Sequence, residues 1–169
     1  LTLAVGPILI VVGAASFAAG WFYTGGPRPY GYAGLGELFV FVFFGLVATV
    51  GSAYVQTEDL FWLAFGVAVP VGFLATALLV VNNLRDIPSD TTSGKVTLAV
   101  RLGELRTRWL YVLLLVAAFL CIIPVASQGE IGAIIAFAAV PFGRKPVEQV
   151  LGGATGPALI PVLGATGRI

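Results

Sequence analysis

Val81-Asn82-Asn83-Leu84-Arg85-Asp86-Ile87-Pro88-Ser89-Asp90-Thr91-Thr92-Ser93-Gly94-Lys95-Val96-Thr97-Leu98-Ala99-Val100-Arg101-Leu102-Gly103 gathers two acids, three bases and two side-chain amides in a chain that is otherwise apolar and nearly uncharged. Long apolar runs flank it, Leu60 to Val81 before and Trp109 to Ala126 after. The chain has 169 residues, of which 59% are hydrophobic and 10% charged, and its mean hydropathy is +1.02. Soluble domains carry about 25% charged residues. The composition is therefore that of a membrane protein, and the length fits one all-α helix bundle of about five spans. A net charge of +1 gives no support to a nucleic-acid partner.

The polar stretch needs a chemical reason. If Asp86 and Asp90 lie one helical turn apart, their carboxylates repel by roughly 3 kcal/mol at ~5 Å and an effective dielectric near 20. A divalent cation turns that repulsion into attraction. Surroundings rich in oxygen and free of His and Cys select Mg²⁺ or Mn²⁺ over zinc, and Mg²⁺ combines one or two carboxylates with waters and substrate phosphates. Arg85, Lys95 and Arg101 then read as counter-charge for a bound phosphate. The competing reading is a solvated loop, but the other connections carry few charges and none arrays both signs in this way. A phosphate-binding P-loop is excluded by spacing, because Ser89 stands where its first Gly belongs and Val96 where its hydroxyl belongs.

Working outward, Thr2 to Phe22 reads as a first span ending in the interfacial rings Trp21 and Tyr23. A Gly/Pro/Tyr loop follows to Glu37, whose carboxylate favours the start of the next helix. Leu38 to Tyr54 is the second span and Leu60 to Val81 the third, with a kink expected at Pro70. Because Ile87 precedes Pro88, a helix break is expected within Asn83 to Pro88. Trp109 to Ala126 is the fourth span, and Ile131 to Phe142 a short fifth, extended by snorkelling Arg144 and Lys145. The Gly- and Pro-rich tail from Leu151 reads as a connection into a further span. With no Met, and with Leu1 inside an apolar run lacking a basic flank, the chain is expected to be part of something longer rather than to start with a signal peptide.

If connections alternate sides, Arg28, Arg85, Lys95, Arg101, Arg106, Arg108, Arg144 and Lys145 fall on one side, and Glu58, Asp59 and Glu130 on the other. The positive-inside rule then places the polar motif on the cytoplasmic face of the cell membrane. The spans carry no charge at mid-depth, which ranks pumps, coupled transporters and channels low. Chemistry at one face with hydrophobic walls behind it suits a substrate with a charged head and a lipid tail. Phe39, Phe41, Phe43 and Phe44 either line a tail channel or, as the plainer reading, face lipid and neighbouring helices. Gly45, Gly51, Gly66 and Gly72 read as close helix contacts. The absence of His excludes Ser-His catalysis within the chain, and the lone Cys121 reads as core filler.

The central stretch, in its Asn-x-x-Arg-Asp-x-x-x-Asp-x-x-x-Gly-Lys-x-Thr-Leu-Ala-Val-Arg-Leu-Gly form, resembles the second aspartate-rich motif of the UbiA superfamily of intramembrane aromatic prenyltransferases. It is most similar to the branch that prenylates 1,4-dihydroxy-2-naphthoate in menaquinone synthesis. The Gly-Tyr-x-Gly-Leu-Gly-Glu run ending at Glu37 and the tail Gly-Ala-Thr-Gly-Pro-Ala-Leu-Ile-Pro resemble that branch too, so the likeness extends over essentially the whole chain.

The resemblance implies a polytopic bundle of roughly nine helices, in which residues 1–169 form a single transmembrane prenyltransferase domain, truncated at both ends. It implies that Asp86 and Asp90 hold Mg²⁺ on an isoprenyl diphosphate, with Asn82 beside them and Arg85, Lys95 and Arg101 as diphosphate contacts. Asp86, Asp90 and Arg85 would be the catalytic set. The family's first aspartate-rich motif is absent, so this polypeptide alone is expected to be inactive. The implied reaction transfers a polyprenyl group to 1,4-dihydroxy-2-naphthoate with loss of CO₂ and diphosphate. Alternative acceptors are 4-hydroxybenzoate, homogentisate and chlorophyllide. A rival of another class is a non-catalytic carrier of isoprenoid diphosphates, which would keep the bases and need no metal.

Overall fold

A computed structural model describes residues 6–27 and 29–169. The described residues are helical throughout, with no strand. Helix α1 is Ile8–Thr24, apolar all round and without a single buried residue, as befits a surface facing lipid rather than water. A 3₁₀ turn, Tyr30–Ala33, leads to α2, Gly36–Thr57. Then come α3, Trp62–Thr92, and α4, Leu98–Leu120, continued by the short α5, Ile122–Ser127. The C-terminal part is a 3₁₀ segment Ile131–Ala139, α6 Val140–Leu151, a 3₁₀ turn Gly156–Leu159 and α7 Ile160–Thr166.

Helix α3 is the axis of the bundle: α4 packs along it, and α2, α5 and α7 also lie against it. Its core face is Ala77, Val80, Val81 and Leu84, which meets Tyr111, Leu114 and Leu115 of α4 together with Val150, Leu159 and Val162. Both sets follow the three- and four-residue spacing that puts side chains on one helical face. On the other side α2 approaches so closely that a Cβ on Gly45 would stand 2.4 Å from the Gly72 Cα, and one on Gly72 would meet the Phe41 ring at 2.8 Å. Gly66 likewise faces Val125 at 3.1 Å, whereas Gly51 makes no close helix contact among the described residues. At this crossing α2 widens into a π-helical stretch, Phe41–Val47.

The break expected within Asn83 to Pro88 does not occur, because α3 runs unbroken for 31 residues through both Pro70 and Pro88. Pro88 removes only the backbone bond to the Leu84 carbonyl. The turns around it are reinforced by hydroxyls folding back onto the helix: Ser89 donates to the Asp86 carbonyl at 2.9 Å, Thr91 to Ile87 at 2.7 Å and Thr92 to Pro88 at 2.9 Å. Leu84 is buried and Ile87 packs on the core, so tertiary contact holds the turn that local preference would open.

Three helices are long and apolar enough to cross a membrane, Gly36–Thr57, Trp62–Thr92 and Leu98–Ser127. Of the other two expected spans, the first is represented by the shorter apolar helix α1, with its expected start at Thr2 lying outside the described residues. The second is not one helix. Pro141 suits a first turn rather than a helix interior, so the chain changes from 3₁₀ to α at Val140 instead of crossing as a single rod. The fourth span begins at Leu98, earlier than Trp109. Thr97 caps it by accepting from the Val100 amide at 3.3 Å, and Gly103, at φ 74°, bends it before the apolar run. The whole is an all-α membrane helix bundle.

Candidate functional site

Because α3 is continuous, Asp86 and Asp90 lie one turn apart on one helix, at the end where its apolar face gives way to polar residues. Each acid is engaged by a base. Arg85 grips Asp86 with two parallel bonds, Nε to Oδ1 at 2.7 Å and Nη2 to Oδ2 at 2.8 Å. Lys95 Nζ reaches both Asp90 oxygens at 3.3 and 3.4 Å, and Thr97 Oγ1 lies 3.5 Å from Oδ2. Asn82 Nδ2 approaches Asp86 Oδ2 at 3.4 Å from one turn back. Asp90 is buried, whereas the Asp86 and Arg85 side chains retain 29% and 28% of their exposure. The structure therefore unites Asn82, Arg85 and Asp86 in one group and Asp90, Lys95 and Thr97 in the next, with equal numbers of acids and bases.

Arg101 joins neither group. It is exposed, and its Nε lies 3.0 Å from where a Cβ on Gly34 would stand. Gly34 has φ 74°, so glycine is required there for conformation as well as space. The Tyr30–Gly34 turn thus rests on the motif loop. The Val96 amide donates to the Tyr32 carbonyl at 3.2 Å, and Lys95 Nζ sits 5.9 Å from the centre of the Tyr32 ring.

Two apolar cavities lead toward this polar end. One, of about 580 Å³, lies between α1 and α2 and is lined by Tyr23, Tyr30, Phe39, Phe43, Phe44 and Leu79 among others. Tyr30 stacks on Phe39 at 3.8 Å between ring centres, and Phe39 on Phe43 at 6.0 Å. Phe41 instead turns to Phe73 of α3. The aromatic stripe thus divides between cavity wall and helix packing. A second cavity of about 580 Å³ shares Leu79 and reaches Asn82. Tyr23, on the wall of the first, lies within the electrostatic reach of Lys95, Glu37 and Asp90. Asn82 and Tyr23 therefore mark where apolar volume meets charge.

Two buried polar residues escape a reading of the sequence. Asn83 Nδ2 donates to Glu37 Oε1 at 2.9 Å, while Glu37 Oε2 is buried with no partner among the described residues. Arg108 donates to the Val150 carbonyl, to the Ala154 carbonyl at 2.9 Å and to Glu104 at 3.0 Å. It therefore ties α4 to the end of α6 rather than serving as a loop charge. The Glu104–Arg108 spacing of one helical turn is a local signal for the pairing, but nothing local points to partners some forty positions away.

Among the described residues no three Asp, Glu, His or Cys side chains converge on a point that could hold a metal. Asp86 and Asp90, the pair that the sequence expectation names for a cation, are each engaged by a base. That oxygen-only, two-carboxylate donor set fits Mg²⁺ that takes its remaining ligands from water and a substrate phosphate.

Comparison with known proteins identifies the family. The UbiA prenyltransferase family matches residues 1–147. Over 99% of its length the chain is 47% identical to a 1,4-dihydroxy-2-naphthoate octaprenyltransferase from Mycobacterium tuberculosis, covering 57% of that protein. It is 46% identical to the Mycobacterium leprae protein of the same description, covering 56% of it. It is also 46% identical, over 67% of the chain, to the one from Escherichia coli. The chain thus spans a little over half the length of the mycobacterial relatives. No solved structure matches it. The family match spans most of the chain, and the chain belongs to the UbiA prenyltransferase family.

Proposed function

We propose that this chain supplies the diphosphate-binding half of a membrane prenyltransferase that moves a polyprenyl group from an isoprenyl diphosphate to 1,4-dihydroxy-2-naphthoate. The observation that carries the reading is the Asp86–Asp90 pair, one helical turn apart, with Arg85 and Lys95 against it and apolar cavities reaching Asn82 and Tyr23. The relatives' names support the choice of acceptor.

In this reading Asp86 and Asp90 hold Mg²⁺, which when bound would offset negative charge on the departing diphosphate. Arg85 and Lys95 stabilise the same charge as it develops, Arg85 through its bidentate fork. Asn82 orients Asp86. The walls around Phe39 and Phe43 enclose the prenyl tail and exclude water from an allylic cation. The C–O bond to diphosphate breaks to give that cation and free diphosphate, and the electron-rich ring then forms the C–C bond and loses CO₂ and a proton. The motif faces the cytoplasm, where soluble phosphorylated precursors reside.

The test is turnover of a prenyl diphosphate by the full-length protein, with a panel of ring acceptors in membranes. Asp86→Asn and Asp90→Asn should each lower product by about a hundredfold or more, the scale of losing a charge-stabilising group. Unchanged turnover in both would end the reading. Product with 4-hydroxybenzoate, homogentisate or chlorophyllide and none with the naphthoate would reassign the acceptor. Retention of the lipid diphosphate after chelation, with no turnover, would point to a carrier instead.

A further inference from the structure

Helix α6 turns Gly143, Pro146 and Val150 inward and packs against α7. Its outer face and the end of α7 bound a cavity of about 620 Å³, lined by Pro141, Phe142, Arg144, Lys145, Ala165 and Arg168 among others. Three bases thus share this cavity with a single acid, Glu148, and that acid is spent on Arg144 at 2.8 Å. Lys145 and Arg168 are exposed and have no ion-pair partner among the described residues. The cavity therefore carries an excess of positive charge. None of its residues belongs to the Asp86–Asp90 motif.

Depth gives those charges a meaning. Arg108, at the edge of the apolar run of α4, holds the Val150 and Ala154 carbonyls, which sets the end of α6 level with the motif's face of the membrane. Lys145 and Arg144 precede Val150 by about 8–9 Å along the helix axis, at 1.5 Å per residue. That is the boundary between headgroups and acyl chains. A charge there is costly without a partner, and long basic side chains reach outward from it toward lipid phosphate. On the deeper side Ile134, Ile135 and Phe142 are exposed, a surface suited to acyl chains and not to water.

We propose that this cavity binds the headgroup of an anionic phospholipid, with its phosphate held by Lys145 and Arg168 and its acyl chains lying against Phe142 and the exposed isoleucines. Because both bases are uncompensated, a headgroup with two phosphates, as in cardiolipin, fits better than one with a single phosphate. Occupancy of this site does not depend on the reaction assigned to Asp86 and Asp90.

Native mass spectrometry of the full-length protein in detergent, titrated with cardiolipin, phosphatidylglycerol or phosphatidylcholine, tests it without turnover. Cardiolipin should be retained most and phosphatidylcholine least. Lys145→Gln with Arg168→Gln should weaken cardiolipin retention about thirtyfold, since each base near an anionic lipid contributes about fivefold. Retention of phosphatidylcholine should not change. Glu148→Gln releases Arg144 and should strengthen cardiolipin retention about fivefold, a gain that misfolding does not imitate. Equal retention of all three lipids by the unaltered protein, selectivity that survives the double substitution, or no gain in Glu148→Gln would overturn the proposal. Equal retention of cardiolipin and phosphatidylglycerol would overturn the preference for two phosphates. Displacement of cardiolipin by an equal concentration of glycerol 3-phosphate would overturn the lipid as occupant and make the cavity a site for a soluble phosphate.

Discussion

The side-chain amide of Asn83 reaches across 46 positions of sequence to Glu37 Oε1 at 2.9 Å, and both residues are more than nine-tenths buried. This bond fastens the first turn of α2 to the motif helix, one residue from Asn82 and one turn before Asp86 and Ile87. Truncating a partner of a buried carboxylate leaves that group's desolvation uncompensated. Asn83→Ala should therefore cost about 1–3 kcal/mol, read as a lower midpoint of unfolding in detergent. Glu37→Gln keeps an acceptor for Asn83 and should cost less than Glu37→Ala. The Asn83→Ala, Glu37→Ala double variant should lose less than the two single losses added, because the residues act as one unit.

Arg108 gives a sharper contrast between buried and exposed charge. It is 6% exposed and satisfies two main-chain carbonyls near the end of α6 as well as Glu104. Arg108→Ala should cost about 2–4 kcal/mol, and Arg108→Lys should recover only part, since one ammonium cannot reproduce the planar fork. Arg144, four-fifths exposed and paired with Glu148 at 2.8 Å, is the control. Arg144→Ala should leave the unfolding midpoint unchanged, because exposed pairs contribute little.

These two residues also show where reading by sequence stops. Composition reveals a bundle of membrane helices, because no soluble core needs so much apolar surface. The Asp86–Asp90 spacing marks a candidate site because it concentrates acids and bases in a chain that is otherwise nearly uncharged. Those inferences use residues near one another in the chain. Asn83, beside the recognised Asn82, has its partner 46 positions away, and Arg108 has its carbonyls 42 and 46 positions away. The unbroken helix through Pro88 is a related case: the local rule is sound, but the hydroxyls of Ser89, Thr91 and Thr92 and the packing of Leu84 override it. Arg101 shares the motif's sequence, and its place against Gly34, outside both acid–base groups, is visible only in the structure.

The α2–α3 crossing depends on glycine at Gly45 and Gly72 because backbone, not a flexible side chain, meets the missing Cβ at Gly45. Gly45→Ala should push the helices apart and cost about 1–3 kcal/mol, the usual range for overpacking. Gly51 lies on the same helix, where a Cβ would have nothing within 4 Å among the described residues. Gly51→Ala should be neutral or stabilise by up to about 1 kcal/mol, the helix-propensity difference. Equal effects of the two substitutions on the unfolding midpoint would contradict the close crossing.

Orientation in the membrane can be read from two positions on opposite sides of one span. The polar end of α3 precedes Leu98–Ser127, and Gln128-Gly129-Glu130 follows it, so the two connections must lie on opposite faces if that segment crosses. Arg85, Lys95, Arg101 and Arg106 cluster at or near the first, while the second carries Glu130 and no base. A phosphatase reporter, active only outside the cytoplasm, should be silent when fused after Thr92 and active when fused after Gly129. A fluorescent reporter that matures only inside should give the reverse. Activity of the phosphatase after Thr92 would place the acids away from cytoplasmic Mg²⁺ and soluble precursors. Equal signals from both fusions would mean that Leu98–Ser127 does not cross at all.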